Sequence, residues 1–243
     1  MRSDSQFLDA IQTSFKAFIS SGTSRSNAKL KPLHGAIAAD IAQRLGEGYR
    51  VWALGHDADK EKKIEGRYID KRVDITITDA ATQRPRAGIA VKFVMQNYAQ
   101  NANNYFENML GETANIRAAS CPYFQVFIIL DRLPYYKRSD SLTKWETFTA
   151  HNMQKYLALA ADNADRYMHT PNKTLIYVAH LTPEAPDDTP TKAAYMDFYR
   201  SHLPQLQVTA ATPPHADLPT DGTVILNDYE TFIDKVYYTV KAR

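Results

Sequence analysis

Residues 71–95 read KRVDITITDAATQRPRAGIAVKFVM, and this stretch decides the fold that we expect. Apolar residues at every second position from Val73 to Ile77 predict a strand over 71–78. The run 88–95 is apolar except for one lysine and predicts a second, buried strand. Because a short polar connection joins the two strands, we expect them to pair in one sheet.

Asp74 and Lys92 are charged residues of these two strands, and they can be interpreted in two ways. If the strands pair, both side chains can project from the same face of the sheet. A lysine within a buried strand must either reach solvent or meet an opposite charge. One interpretation is a structural ion pair between neighbouring strands. The other is a hydrolytic site in which Asp74 holds Mg²⁺ and Lys92 positions the attacking water.

Further helices and strands surround this pair and define the fold class. Together they predict an α/β protein with a mixed β-sheet that is flanked by helices. No composition change is sharp enough to divide residues 1–243 into two domains. The predicted helices cover 5–19, 32–45, 103–118, 144–162, 190–202 and about 228–240, and the other strands cover 49–54, 123–130, 174–181 and 223–226.

Composition excludes several classes of protein. The single cysteine, Cys121, rules out an internal disulfide and a cysteine-based metal cluster. No run approaches about 18 consecutive apolar residues, so no membrane span is expected. The N-terminal segment MRSDSQFLDAIQTSF lacks the apolar region of a signal peptide. We therefore expect a soluble protein in a reducing, cytoplasmic setting.

The formal net charge of +2 hides an uneven distribution of charge. Residues 10–39 and 80–106 contain bases and no acid, whereas residues 180–234 contain nine acids and two bases. If the two acid-free windows share a face, that face would attract phosphate. The alternative, that both windows are simply low in charge, is equally compatible with the sequence.

The arrangement of Asp74 and Lys92 resembles the core of the PD-(D/E)XK nucleases, of which type II restriction endonucleases are the best-known members. The residues that carry the resemblance are VDITI, fifteen intervening residues after Asp74, the triplet Ala90-Val91-Lys92, and the segment AVKFVMQNYAQNANNYFENMLGETANIR. It covers about residues 30–130. It implies a single restriction-endonuclease-like domain over 1–243, with its core at about 30–180 and a C-terminal extension at about 181–243.

One residue departs from the family pattern, because Ala90 stands where the family has its second acid. Three explanations stay open: the acid has moved to the following helix, the chain is an inactive nuclease core that only binds DNA, or the chain carries an inactivating change. For a moved acid the candidates are Glu107 and Glu112, and spacing from Lys92 favours Glu107 as second Mg²⁺ ligand beside Asp74.

Earlier polar residues could complete the site that the resemblance implies. Early acids commonly do so in the family, and here the candidates are Glu65 and Asp70, although both also suit a charged surface. His34 lies on the helix that borders the site in the family and is a minor candidate for a phosphate contact.

Contacts with double-stranded DNA are expected from amide and basic side chains. Asparagine and glutamine can read adenine, and the stretch 96–104 is rich in both, although a polar turn that caps the next helix is an equal alternative. The residues assigned to DNA are Arg25, Lys29, Lys31, Asn97, Asn101, Asn103 and Asn104. The resemblance implies a Mg²⁺-dependent, sequence-specific endonuclease of a bacterial or archaeal restriction–modification system, acting as a homodimer and leaving 5′-phosphate and 3′-hydroxyl ends.

Overall fold

The computed structural model of the protein describes residues 4–21, 29–209, 218–219 and 221–243. No helix within these ranges is both long and apolar enough to cross a membrane. The helices are α1 (Asp4–Ser21), α2 (Lys31–Leu45), α3 (Tyr98–Arg117), α4 (Ala150–Ala160), α5 (Lys192–Ser201) and α6 (Tyr229–Lys241).

Strands form one large sheet and two small ribbons in the described ranges. The strands are β1 (Tyr49–Ala53), β2 (Lys62–Ile64), β3 (Lys71–Val73), β4 (Ile75–Asp79), β5 (Pro85–Val94), β6 (Tyr123–Leu130), β7 (Arg132–Tyr136), β8 (Leu142–Thr147), β9 (Lys173–Thr182), β10 (Gln205–Val208) and β11 (Val224–Leu226). The large sheet has the order β1-β4-β5-β6-β9-β10, and β11 also pairs with β9. The ribbons are β2–β3 and β7–β8.

The large sheet mixes antiparallel and parallel pairs. Strand β4 runs antiparallel to its two neighbours, β1 and β5, so the predicted pairing of the two opening strands is confirmed. Strands β5, β6 and β9 are parallel, and α3 provides the crossover from β5 to β6. This arrangement confirms the expected mixed sheet.

Helices cover both faces of the sheet. Phe124 and Phe127 of β6 point to opposite faces because they are three residues apart. The Phe124 ring contacts Phe232 of α6, with ring centres 6.2 Å apart. The Phe127 ring contacts Tyr156 of α4 at 5.8 Å and Tyr105 of α3 at 6.5 Å. All eight residues of β6 are consequently buried, as the uninterrupted apolar run predicts.

Three segments differ from the sequence prediction. Helix α3 begins at Tyr98, five residues earlier than expected, so the amide-rich stretch is mostly helical. The stretch 96–104 contains no glycine or proline that would stop a helix, and burial of Tyr98 holds the first turn against the sheet. Residues 142–147 form β8 instead of helix, and Thr149 with Asn152 then caps α4. Residues 205–208, for which the sequence predicts neither helix nor strand, form β10 and pair with β9.

The turn between β2 and β3 is held rigidly against α3 by one side chain. Asn115 Oδ1 accepts hydrogen bonds from the backbone N–H groups of Tyr68 and Ile69, at 2.9 and 3.2 Å. Asn115 Nδ2 donates to the Ile69 carbonyl at 2.8 Å, and the Arg67 N–H donates to the Asn115 carbonyl at 2.8 Å. Tyr68 and Ile69 themselves are exposed at this turn.

Candidate active site

Asp74 occupies the single position between β3 and β4, where the small ribbon joins the large sheet. Its Oδ2 accepts a hydrogen bond from the Val91 backbone N–H at 2.7 Å, which fixes the carboxylate beside β5. Burial raises the pKa of Asp74 to about 6; the charge of Glu112 adds to the rise, and the Val91 hydrogen bond opposes it. Such a raised carboxyl pKa is common at functional sites.

Lys92 projects from β5 on the same face as Ala90 and is an exposed residue within an otherwise mostly buried strand. Its Nζ lies 4.5 Å from the centre of the Tyr105 ring, a cation–π contact that directs the side chain toward α3. Partial burial lowers the pKa of Lys92, while the charges of Asp74 and Glu112 raise it. None of the ion pairs among the described residues joins Asp74 to Lys92, so the structure does not show the purely structural ion pair.

A cavity of about 300 Å³ separates this part of the sheet from α3 and α4. Its polar lining is Asp74, Lys92, Gln125, Asn108, Glu112, Tyr105 and Tyr156. Ala90 lies on the sheet side of the cavity and is in register with Gln125 of the neighbouring strand β6. Asp74 lies on the other side of Ala90, next to β4. Because Ala90 has only a methyl group, it leaves the space open that a longer acid would fill.

The structure places Glu112, and not Glu107, on this cavity. Tyr105, Asn108, Met109 and Glu112 line it at helical positions i, i+3, i+4 and i+7, which share one face of α3. Glu107 is two residues from Tyr105 and is exposed on a different face, where its charge partly opposes the burial that lowers the pKa of Lys155. Glu107, the acid that spacing from Lys92 favours, therefore does not line the cavity that contains Asp74, whereas Glu112 does.

Glu112 is held in place by partners from two directions. Lys71 Nζ of β3 forms a salt bridge with Glu112 Oε1. The Tyr123 hydroxyl donates to Glu112 Oε2 at 3.5 Å. Glu112 is half-buried, so its carboxylate is directed by the protein while remaining accessible from the cavity.

A second group of polar residues also includes Asp74. One ligand atom each from His34, Glu61 and Asp74 lie within 4.8 Å of one another. His34 is 2% exposed, and burial lowers its pKa to about 4, so the imidazole is neutral. Burial and the charge of Asp74 raise the pKa of Glu61. Glu61 lies in a charged run without periodicity, so no signal in the sequence distinguishes it from its neighbours.

The earlier acidic candidates lie away from this group. Glu65 and Asp70 are both exposed, at the two ends of the β2–β3 turn. Asp70 forms a surface ion pair with Lys63 at 4.0 Å. Neither lines the cavity, so the structure does not bring them to Asp74.

The amide-rich stretch divides between two environments. Asn97 and Asn101 line a cleft of about 410 Å³ that shares Lys92 and Tyr105 with the cavity. Asn97 is engaged by β7, accepting from the Tyr136 N–H at 3.0 Å and donating to its carbonyl at 2.8 Å. Asn103 and Asn104 are exposed and do not line the cleft.

The basic residues assigned to DNA are also separated. Lys29 lines the same cleft, where burial and the charge of Lys92 lower its pKa to about 8. The two acid-free windows therefore meet at this cleft, through Lys29 and Lys92. Lys31 is exposed and pairs with Asp59. Arg25 lies outside the described residues.

Comparisons of the chain with models of protein families, with curated proteins and with solved structures find no match. The function therefore has to be inferred from the geometry of the site itself.

Proposed function

We propose that this chain is a Mg²⁺-dependent, sequence-specific endonuclease of double-stranded DNA, resembling type II restriction enzymes. The observation that carries the proposal is the cavity that gathers Asp74, Glu112 and Lys92, two carboxylates and one ammonium group. These groups come from three separate elements and converge although no ion pair ties Asp74 to Lys92. Of the explanations for Ala90, an acid that has moved to the helix is favoured, with Glu112 in that role.

Asp74 and Glu112 suit Mg²⁺ as ligands. Both offer carboxylate oxygens, the donors that Mg²⁺ prefers, and both line one small cavity. The charge of Glu112 raises the pKa of Asp74, so a nearby cation would relieve a repulsion between the two. Bound there, Mg²⁺ would act as a Lewis acid toward the phosphoryl group that is being cleaved.

Lys92 would orient the water that attacks phosphorus and stabilise the charge that develops on the phosphoryl oxygens. Its ammonium group carries three donors and lies at the cavity beside Tyr105. The water oxygen forms the new bond to phosphorus, and the bond from phosphorus to the 3′ oxygen breaks. The 3′ oxygen leaves as a hydroxyl with a proton that comes from water.

The cleft next to the cavity would hold the DNA strand that is being cut. It brings Lys29 together with the amides of Gln100 and Asn101, whereas the Asn97 amide is engaged by β7. Lysine would contact phosphate, and amide groups can pair with base edges. Homodimerisation would place two such sites on the two strands of a symmetric sequence, and a bacterial or archaeal cytoplasm would be the setting.

The test is incubation of the protein with mixed-sequence plasmid DNA, once with Mg²⁺ and once with EDTA. Discrete fragments that form only with Mg²⁺ are the expected result. Binding without cleavage would support an inactive nuclease core that only binds DNA. Absence of both binding and cleavage would contradict the proposal and leave an α/β domain of another function.

A further inference from the structure

Tyr68 and Ile69 are the most exposed pair of adjacent large apolar side chains in the part of the chain that the structure describes. Their exposed fractions are 81% and 65%. Apolar surface is unfavourable in water, and burying it stabilises a protein or a complex. Two such side chains next to each other, in the turn between β2 and β3, therefore indicate a surface that a partner covers on binding.

The turn that carries this pair is held in one conformation by the protein itself. Three hydrogen bonds join the Asn115 amide to the backbone of Tyr68 and Ile69. Gly66 makes this close approach feasible, because a Cβ atom at that position would lie 2.1 Å from Asn115 Nδ2. Groups that are fixed in advance lose less conformational entropy on binding. The pair is thus suited to insertion into a partner.

The surroundings of the turn are basic. Residues 60–72 contain six bases and three acids. Arg67 and Arg84 are both exposed and line a cleft of about 570 Å³ beside the turn, in which Glu65 is the acid. Within the described ranges of the chain, neither guanidinium group forms an ion pair. An apolar pair flanked by two such groups suits a partner that combines flat apolar rings with phosphate, which is the chemistry of a nucleic acid.

The turn lies close to the cavity that contains Asp74. Strand β3 is three residues long and separates the two, with Ile69 shortly before it and Asp74 directly after it. Five residues span at most about 18 Å. Because the bases of a duplex follow one another every 3.4 Å or so, this length corresponds to about five base pairs. A duplex with its scissile phosphate at the cavity is therefore long enough to reach the turn.

We propose that Tyr68 and Ile69 insert between two adjacent base pairs of bound double-stranded DNA, while Arg67 and Arg84 contact phosphates beside that step. This role rests on the proposed function and adds to it a distortion of the DNA that is cut. An aromatic ring stacks on any base, and an apolar side chain that enters a base step unstacks and kinks the duplex. The excess of basic residues around the turn favours DNA over an apolar protein partner.

Insertion would also contribute to the choice of sequence. Pyrimidine–purine steps unstack most easily, so DNA with such a step at the turn would bind more tightly although no side chain reads its base edges. We therefore expect a pyrimidine–purine step within about five base pairs of the cut.

The test uses end-labelled fragments of a mixed-sequence plasmid, in EDTA so that no strand is cut. Permanganate and diethyl pyrocarbonate react with unstacked thymine and purine bases, and they should reveal a reactive step inside the region that the wild-type chain protects. Tyr68→Ala should abolish that reactivity and weaken binding at least about tenfold. Tyr238→Ala is the matched control, because Tyr238 is a tyrosine of α6 that is 66% exposed, and it should behave as the wild type does.

The salt dependence of binding tests the two arginines. Arg67→Gln and Arg84→Gln should each reduce the slope of log affinity against log salt concentration by about 1, because one phosphate contact is lost. An unchanged slope in both variants would overturn their assignment as phosphate contacts.

The outcomes separate this proposal from the nuclease proposal. Binding without reactive bases, or equal binding of the wild type and Tyr68→Ala, would overturn the insertion and leave the nuclease unaffected. Reactive bases in a chain that never cleaves DNA with Mg²⁺ would support the insertion and overturn the nuclease alone. Absence of DNA binding would overturn both, and sedimentation of the wild type and Tyr68→Ala would then show whether the turn joins two copies of the chain.

Discussion

The two faces of α3 have similar composition and opposite environments. One face presents Glu112 to the cavity beside Asp74, and the other presents Glu107 to solvent. Each face therefore offers one acid. The two faces differ in their orientation relative to the sheet. The rotation of α3 about its axis turns Glu112 toward the cavity and leaves Glu107 on the surface.

The largest expected effect separates the two acids directly. Glu112→Gln should reduce metal-dependent DNA cleavage by at least about 100-fold, because the neutral amide no longer balances a bound cation. Glu107→Gln, the same change on the opposite face, should cleave as the wild type does. Initial rates on plasmid DNA measure both. Equal loss in the two variants would show that the face of α3 does not matter.

Lys92 gives a comparable effect from the sheet side of the cavity. Lys92→Ala should reduce cleavage about 100-fold or more, since the group that orients water and stabilises phosphoryl charge is lost. Lys155→Ala is the control, because Lys155 is a lysine near Glu107 on the other side of α3. Full activity of Lys92→Ala would refute the mechanism even for an active nuclease.

A smaller effect concerns stability and pH. The pKa of Asp74 is raised to about 6 in the folded protein, so the folded state holds its proton more tightly than the unfolded chain does. Stability from this group is present below about pH 4 and is lost as the pH rises through about 6. Asp74→Asn removes that loss and should gain on the order of 2 kcal/mol between pH 4 and pH 8 relative to wild type.

Thermal unfolding in EDTA across this pH range measures the gain. EDTA is needed because a bound cation would favour the ionised carboxylate. A difference between Asp74→Asn and wild type that does not change with pH would mean that burial does not perturb Asp74.

The smallest effect tests whether the amide groups of α3 read DNA from one face. Asn101→Ala should weaken binding to a duplex that contains the cleaved sequence by about 1 kcal/mol, because Asn101 lines the cleft. Asn104→Ala removes an exposed amide outside the cleft and should leave affinity unchanged. Fluorescence anisotropy in EDTA measures both. If Asn104→Ala weakened binding more, the DNA path would lie across the other face.

Sequence alone predicted the pairing of the opening strands because alternation in a strand is a local signal. The expectation that Asp74 and Lys92 lie near each other follows from that pairing. Glu112 was a candidate but not the preferred one, since spacing from Lys92 carries no information about helical phase. The stripe of Met109, Glu112 and Ile116 at i, i+3 and i+7 would have favoured it, because Met109 and Ile116 are buried.

The remaining parts depend on tertiary packing that no local pattern encodes. Glu61 approaches His34 only in the folded chain, and its neighbours in sequence are charged surface residues. Residues 144–147 of β8 were predicted as helix, and the three-residue spacing of Trp145 and Phe148 suits a helix. Its pairing with β7 overrides that preference.

The hydrogen bonds of Asn115 couple the exposed turn at Tyr68 and Ile69 to the helix that carries Glu112. Four hydrogen bonds join the turn to Asn115, and Glu112 lies three residues earlier on the same helix, about 4.5 Å along its axis. The turn therefore cannot be displaced without breaking these bonds or pulling on α3. A force applied to the exposed side chains of Tyr68 and Ile69 would be transmitted through helix α3 to the Glu112 carboxylate.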